Sequence, residues 1–389
     1  MTNVTAMRDA QTPPSILKRA DFPQLLAEIR ERAPEFEAQG FVSHDIIASL
    51  KRVGMYRAAV LKRFGGDERE PVDILETVEA LSAADGSVGW VASFAPQASV
   101  YCAILPDHCL KAMYAKTPDI VAAGALFPAQ PAQKVGDNLI INGRWSFASG
   151  CTSADWICVG ITVEGSPIVG VQMVMLPRDQ VEIVRNWDVL GLRATGSNDI
   201  VVKDVTISKD WAAQRGGPVQ YDDALYQYPA LCFAALNHAV VNLGIARAAI
   251  DDMVDLAKAK ASITGAPRPA DRAYVHLALA KADAKLRGAR AFFYEQTEAM
   301  WQIVKAANVP TIEDKALVRL AASNAARVGA EVVQEMYTLA GTTATKMSNP
   351  MQRRVRDSMM VTQHAFVSEG NLENAGRVMV EMAPTPGFP

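Results

Sequence analysis

From Phe22 to about Lys116, apolar positions recur at intervals of three and four, as in Leu25 and Ile29 or Leu75, Val78 and Leu81. That spacing lines one face of an α-helix and predicts an N-terminal helical region, punctuated by Gly65-Gly66 and Pro71. Between about Ile120 and Trp211 the pattern changes. Segments 138–143, 156–163, 168–176 and 200–207 are short, rich in Ile and Val and bounded by Gly, Asn and Asp, which predicts strands of a compact antiparallel β domain. From about Pro229 the helical period returns in a stretch rich in Ala, Leu, Met, Lys and Glu, with breaks near 265–269, 308–310 and 348–350. Three or four long helices there should pack as a bundle. The order of helices, a β block and helices is α+β and excludes a doubly wound nucleotide-binding sheet. The boundaries expected are a flexible segment 1–19, a helical domain 20–117, a β domain 118–215 and a helical bundle 216–389.

Composition narrows the partners. A chain of 389 residues with 50% hydrophobic content and a net charge of -3 has material for a large core, and no field that recruits nucleic acid or an anionic membrane. The N-terminus meets charge and then Pro13-Pro14 before any apolar run, so no secretory h-region is expected. The most apolar stretch, Tyr228 to Ala249, contains Asn237, His238 and Asn242, whose desolvation in lipid is costly, so a buried core helix is expected rather than a membrane span. Five cysteines without CxxC spacing point to a reduced, cytoplasmic protein, and Cys102 and Cys109 lack the His or Asp neighbours that a metal site needs. No GxGxxG after a strand, Walker A loop, Gly-x-Ser-x-Gly elbow or HExxH is present.

Four motifs carry chemistry: Gly86-Ser-Val-Gly-Trp90, Asn142-Gly-Arg-Trp-Ser-Phe-Ala-Ser-Gly-Cys151, Leu190-Gly-Leu-Arg-Ala-Thr-Gly-Ser-Asn198, and Arg356-Asp357 followed by His364. Together with the order of elements over essentially the whole chain, they resemble the acyl-CoA dehydrogenase superfamily. More narrowly, they resemble the branch whose members are oxygenase components of two-component flavin-dependent monooxygenases, acting on phenols or on dibenzothiophene. The resemblance implies an N-terminal helical domain, a middle antiparallel β domain and a C-terminal four-helix bundle, usually assembled as a homotetramer. It also implies reduced flavin (FMNH2 or FADH2) delivered by a separate NAD(P)H-dependent flavin reductase, O2 as co-substrate, a C4a-hydroperoxyflavin and a small aromatic substrate.

One position separates the branches. Dehydrogenases of the superfamily commonly place a catalytic Glu eight residues after the Arg-Asp pair, because a carboxylate must remove the proton α to the thioester. Here that position is Ala365, and His364 precedes it. A dehydrogenase would have to recruit Glu369 instead, and a non-catalytic assembly of the same fold is a third alternative.

The resemblance assigns candidate roles. Ser149, with Gly150 beside it, would hydrogen-bond flavin N5, although a Ser-Gly at a strand end is more commonly a turn. His364 would titrate near neutral pH and handle a proton of the oxygen or the substrate; the competing expectation is a bundle histidine satisfied by a neighbour. Arg193, Thr195 and Ser197 would cradle the flavin, Arg193 alternatively serving a structural ion pair, and Trp90 would pack beside the isoalloxazine or simply fill core. Arg247, Lys258, Lys260, Arg268, Arg353 and Arg354 are candidates for the flavin phosphate, most of them expected to be solvated helix faces. Phenol hydroxylases of the branch tend to carry a histidine shortly after the Gly-Trp motif; residues 95–101 have none, leaving Gln97 and Tyr101 as substrate contacts and making an indole or a sulfur heterocycle as suitable as a phenol.

Overall fold

The computed structural model describes residues 13–166, 170–259, 267–385 and 387–388. Five helices come first: α1 (Phe22–Gln39), α2 (His44–Val53), α3 (Pro71–Ala84), α4 (Gly86–Cys102) and α5 (Asp107–Tyr114). Pro71 opens α3 at its first turn, where the missing N–H costs nothing. Asp85 then ends α3 and caps α4, its carboxylate accepting the Val88 N–H at 3.0 Å. At the α3–α4 crossing a Cβ on Gly89 would stand 1.9 Å from Ser82 Oγ, so only glycine permits the approach. Of the lead-in expected to be flexible, residues 13–19 are instead held: Ile16 is buried and Arg69 donates to the carbonyls of Pro13 and Pro14.

Seven strands follow: β1 (Ala122–Val135), β2 (Asn138–Ala148), β3 (Trp156–Val163), β4 (Gln172–Pro177), β5 (Glu182–Val184), β6 (Asn198–Ser208) and β7 (Ala212–Gln214), in the spatial order β5-β6-β2-β1-β3-β4-β7. The domain expected to be antiparallel is mixed, because β3 pairs parallel to β1 while the remaining pairs are antiparallel. Alternation predicts strands but not the direction in which they pair. The strand β1 shows no alternation at all: Pro128 and Pro131 interrupt it, and Gly124 is required where a Cβ would meet the Cys158 carbonyl oxygen at 2.1 Å. The period of two is clearest in β4, where Met173 and Met175 join the helical core and Val174 and Leu176 join the core of the sheet itself.

After the short α6 (Ala224–Gln227) come the bundle helices α7 (Ala230–Ala259), α8 (Ala273–Lys305) and α9 (Ile312–Ala340), with the shorter α10 (Pro350–Val361) and α11 (Glu369–Met379) packed on them. Starts match the signals. Thr311 and Asp314 form a capping box on α9, and Asn349 caps α10 ahead of Pro350. Among the described residues α7 alone is long and apolar enough to cross a membrane, and 83% of that window is buried inside the protein. The small residues of 320–330 are spent within the chain: a Cβ on Gly329 would come within 2.7 Å of the Asn242 carbonyl oxygen, so they set the α7–α9 distance.

Candidate active site

The four motifs converge on one place. Asp357 in α10 accepts the Leu192 N–H at 2.6 Å, and a Cβ on Gly191 would stand 2.2 Å from the Arg356 carbonyl oxygen, so the 190–198 loop is clamped against α10. Gly86, at the start of α4, leaves room for the same Asp357 side chain. Gly150 adopts φ 76° and donates its N–H to the Thr195 carbonyl at 2.8 Å, joining the end of β2 to that loop. Burial, reinforced by Asp85, pushes the Asp357 carboxyl up to about 7 against the pull of the Leu192 N–H, Arg353 and Arg356.

These contacts enclose a cavity of about 520 Å³ between α4, the β1–β3–β4 face, the 187–197 loop, α7 and the segment after α10. Trp90, Gln97, Tyr101, Ser149, Thr195, Ser197 and His364 all line it. Hydroxyls run in a chain along one wall. Trp90 Nε1 donates to Ser149 Oγ at 3.1 Å, Ser149 Oγ meets Ser197 Oγ at 2.6 Å, Ser197 Oγ meets Thr195 Oγ1 at 2.7 Å, and Thr195 Oγ1 donates to the Leu192 carbonyl at 2.8 Å. At the mouth the Phe147 ring is exposed, held by a backbone at φ 68° and set edge-on to Trp187 with centroids 5.9 Å apart. A planar apolar partner with a polar edge suits that wall: rings for its face, hydroxyls for its rim. An isoalloxazine has that shape and chemistry.

Deeper in, His238 of α7 stacks on His364, ring centroids 3.9 Å apart and planes 21° from parallel. His238 Nδ1 lies 2.7 Å from the Ala234 carbonyl, which can only accept, so Nδ1 carries the proton and Nε2 offers a bare lone pair. That Nε2 is buried and has no protein partner. His364 is the opposite tautomer, because its Nδ1 accepts the Phe366 N–H at 3.2 Å and its proton resides on Nε2. Burial pushes His238 down to about 4, the Ala234 carbonyl opposing and Arg319 assisting. Burial also holds His364 well below the ordinary imidazole range, with His238, Arg215 and Arg319 adding to the effect. The expectation that His364 titrates near neutral pH is therefore corrected: the pair is neutral, one ring an acceptor and the other a donor. Nor does His364 share a helix with Asp357, since α10 ends at Val361 and His364 caps the short turn that follows.

Other expected residues fall elsewhere. Arg193 does not line the cavity; its guanidinium donates to the Val189 carbonyl at 2.6 Å and ties the loop to itself. Gly150 shapes the loop without entering the wall. Gln97 is buried with its amide donating to the Ser93 carbonyl at 3.1 Å, and Tyr101 keeps a buried, unpartnered hydroxyl whose pKa burial drives upward. Among the basic candidates, Arg247 pairs with Asp251 and Asp283, Arg268 with Asp271, Arg353 with Asp85 and Glu37, and Arg354 with Asp252. Neither these nor Lys258 lines the cavity, and Lys260 lies outside the described residues. The substitute acid of a dehydrogenase is also misplaced, because Glu369 points outward and pairs with Arg327 at 3.1 Å.

Sequence patterns did not single out His238, Arg215, Phe94 or Phe366, all of which line the cavity. A second cavity of about 250 Å³ shares Trp187 with the first and contains Arg185, which no carboxylate pairs among the described residues. Within the described residues no three His, Cys, Asp or Glu side chains gather as a metal site.

Residues 236–369 match the family model for the acyl-CoA dehydrogenase C-terminal domain. The chain is 43% identical over 375 residues to the indole-3-acetate monooxygenase of Acinetobacter baumannii, covering 95% of this chain and 96% of that protein. It is 26% identical over 381 residues to the oxygenase component of the FADH2-dependent resorcinol hydroxylase of a Rhizobium species, covering 92% of each. The crystal structure of the 3-HSA hydroxylase from Rhodococcus sp. RHA1 superposes with a TM-score of 0.87 at 22% identity, over 96% of this chain and 98% of that one, which shows the fold.

Proposed function

Because the chain belongs to the two-component flavin-dependent monooxygenase branch of the acyl-CoA dehydrogenase superfamily, and is an oxygenase component that uses reduced flavin and O2 on an aromatic compound, we propose that its substrate is an indole-type heteroaromatic. The observation that carries this is the orphaned Nε2 of His238. A buried lone pair without a donor is costly, and a ring N–H or phenol O–H entering the cavity relieves it. Here His238 takes the part that a histidine after the Gly-Trp motif plays in phenol hydroxylases. The A. baumannii relative, named for an indole, favours N–H over O–H.

Each turnover consumes one O2 and one reduced flavin; one oxygen atom enters the substrate and the other leaves as water. Bound against Phe147 and the hydroxyl chain, reduced flavin supplies the two electrons. What the protein supplies is position and dryness. His238 Nε2 accepts the ring N–H and raises electron density on the carbon to be oxygenated. The Nε2–H of His364 donates to the oxygen that leaves as water. Trp90 orients Ser149, and the Ser149–Ser197–Thr195 chain hydrogen-bonds the flavin rim. Arg185, in the adjoining cavity, is the cation assigned to the flavin phosphate in place of the bundle arginines. Assembly as a homotetramer through the outer faces of the bundle is supported by the exposed Tyr274, Leu277 and Leu317 on α8 and α9; light scattering on the purified chain checks it.

Supplying reduced flavin from a separate reductase, with indoles, phenols and thiophenes offered in turn, tests the substrate class. Oxygenated indole products at the highest kcat/KM are expected. Preference for a phenol or a thiophene would overturn the assignment of His238 to a ring N–H.

A further inference from the structure

We infer that Arg215 forms a carboxylate subsite in the active-site cavity, so that the substrate is a heteroaromatic acid whose acidic arm is read by this guanidinium. The inference rests on the indole-type assignment above and adds what recognises the rest of the molecule.

Among the described residues, the cavity wall contains one formally charged side chain. Its residues are apolar, aromatic, hydroxyl, amide or neutral imidazole, with no Asp, Glu or Lys, and Arg215 from the segment after β7 is the exception. Among the described residues no carboxylate pairs with Arg215. Its guanidinium carbon instead lies 5.5 Å from the Phe366 ring centroid and 5.8 Å from that of Phe127. Ring faces hold a cation weakly and leave its in-plane N–H donors open for a planar anion. Arg247, Arg268 and Arg354 of this same chain each have an acid beside them, and Arg215 does not.

Behind Phe366 stands a second cation. Arg319 is buried, lies 5.4 Å from the same ring and also has no carboxylate partner among the described residues, bonding instead to the Leu231 carbonyl and Asn371. Two guanidiniums flanking one ring without an acid leave the region electropositive, and a low-dielectric wall extends that field into the cavity. Tyr101 adds a buried hydroxyl without a partner. The anion that fits is small and planar, because a carboxylate matches the guanidinium fork and the surrounding rings exclude a bulky hydrated ion.

Geometry also limits the arm. The Phe366 ring is 5.4 Å from His238 and 5.5 Å from the Arg215 guanidinium carbon, so one aromatic ring separates the N–H contact from the carboxylate contact. A ring N–H bonded to His238 and a carboxylate on a one- or two-carbon arm reach both. A long-chain acid does not fit that span.

Calorimetric titration of the full-length protein, loaded anaerobically with reduced flavin, distinguishes the claims. Indole-3-acetate and 3-methylindole share a ring and differ by the carboxylate. Wild type should prefer indole-3-acetate, and in Arg215→Gln the affinity ratio of acid to neutral ligand should fall by roughly tenfold or more, the size of a lost hydrogen bond between charged groups. Arg215→Lys should recover part of the ratio. Because the ratio is taken within one variant, partial misfolding lowers both affinities and leaves it readable. An unchanged ratio in Arg215→Gln, or a wild type that binds 3-methylindole at least as tightly as the acid, overturns the subsite while leaving the indole assignment standing. Binding of neither ligand overturns the indole assignment and the subsite with it.

Discussion

Acidification should weaken the fold through a single buried ring. His238 is almost fully buried and its pKa is pushed down to about 4, whereas in the unfolded chain it is an ordinary imidazole. The unfolded state therefore takes up a proton as pH falls below the usual value of ~6.5, and the folded state does not follow until about 4. Stability conferred by the neutral ring is fully present above that unfolded value, declines as pH drops towards 4, and is level again below it. Between pH 7 and pH 5 the loss from His238 alone is about 2 kcal/mol, by linkage between those two values. His364, shifted in the same direction, steepens the decline. Urea unfolding of wild type and His238→Phe at both pH values reads the effect, since the titrations of groups away from the His238–His364 pair cancel in the difference. The stability advantage of wild type over the variant should shrink by about 2 kcal/mol on going to pH 5. A difference that stays constant would mean that His238 is free to protonate in the folded protein, and the donor–acceptor pairing with His364 would then be wrong.

Two further substitutions probe the site. Ser149→Ala removes the acceptor of the buried Trp90 N–H and breaks the hydroxyl chain, so the share of reduced flavin yielding product should fall roughly tenfold, the worth of one hydrogen bond, with H2O2 released instead; peroxide and product assayed together read the split. Gly191→Ala forces a Cβ to within 2.2 Å of the Arg356 carbonyl oxygen and should destabilise by about 1–3 kcal/mol, whereas Gly288→Ala, in open space on α8, should stabilise by roughly 0.5–1 kcal/mol; denaturant midpoints compare them.

Periodicity made the order of elements legible because most helices and strands bury one face, and a buried face leaves its period in the sequence. That Ser149, Trp90, Thr195 and Ser197 gather in one place was legible because they sit in motifs whose glycines are forced by close approach, as at Gly89 and Gly191, and His364 because of its offset from Arg356-Asp357. His238 was not, since an imidazole within an apolar helix gives no sign of which ring it will stack on 126 positions later. Arg215 follows a three-residue strand in no motif, and its significance is the lack of an acid nearby, which only the fold can show. The same holds for the depressed His364 pKa, a property of rings and cations brought from α7, α9 and the segment after β7. Arg193 lies in the right motif but follows the alternative its sequence left open: its hydrogen bond to the Val189 carbonyl and its ion pair with Asp188 hold its own loop.

On the function proposed above, this cavity couples reduced flavin and O2 to insertion of an oxygen atom into an indole-type ring. Single-turnover reaction of the protein and reduced flavin with indole-3-acetate under 18O2, followed by mass spectrometry, tests it most directly. One 18O atom in the product is expected, and unlabelled product when the label is placed in water instead. Complete flavin oxidation with all of the oxygen recovered as H2O2, or product labelled from water, would contradict it.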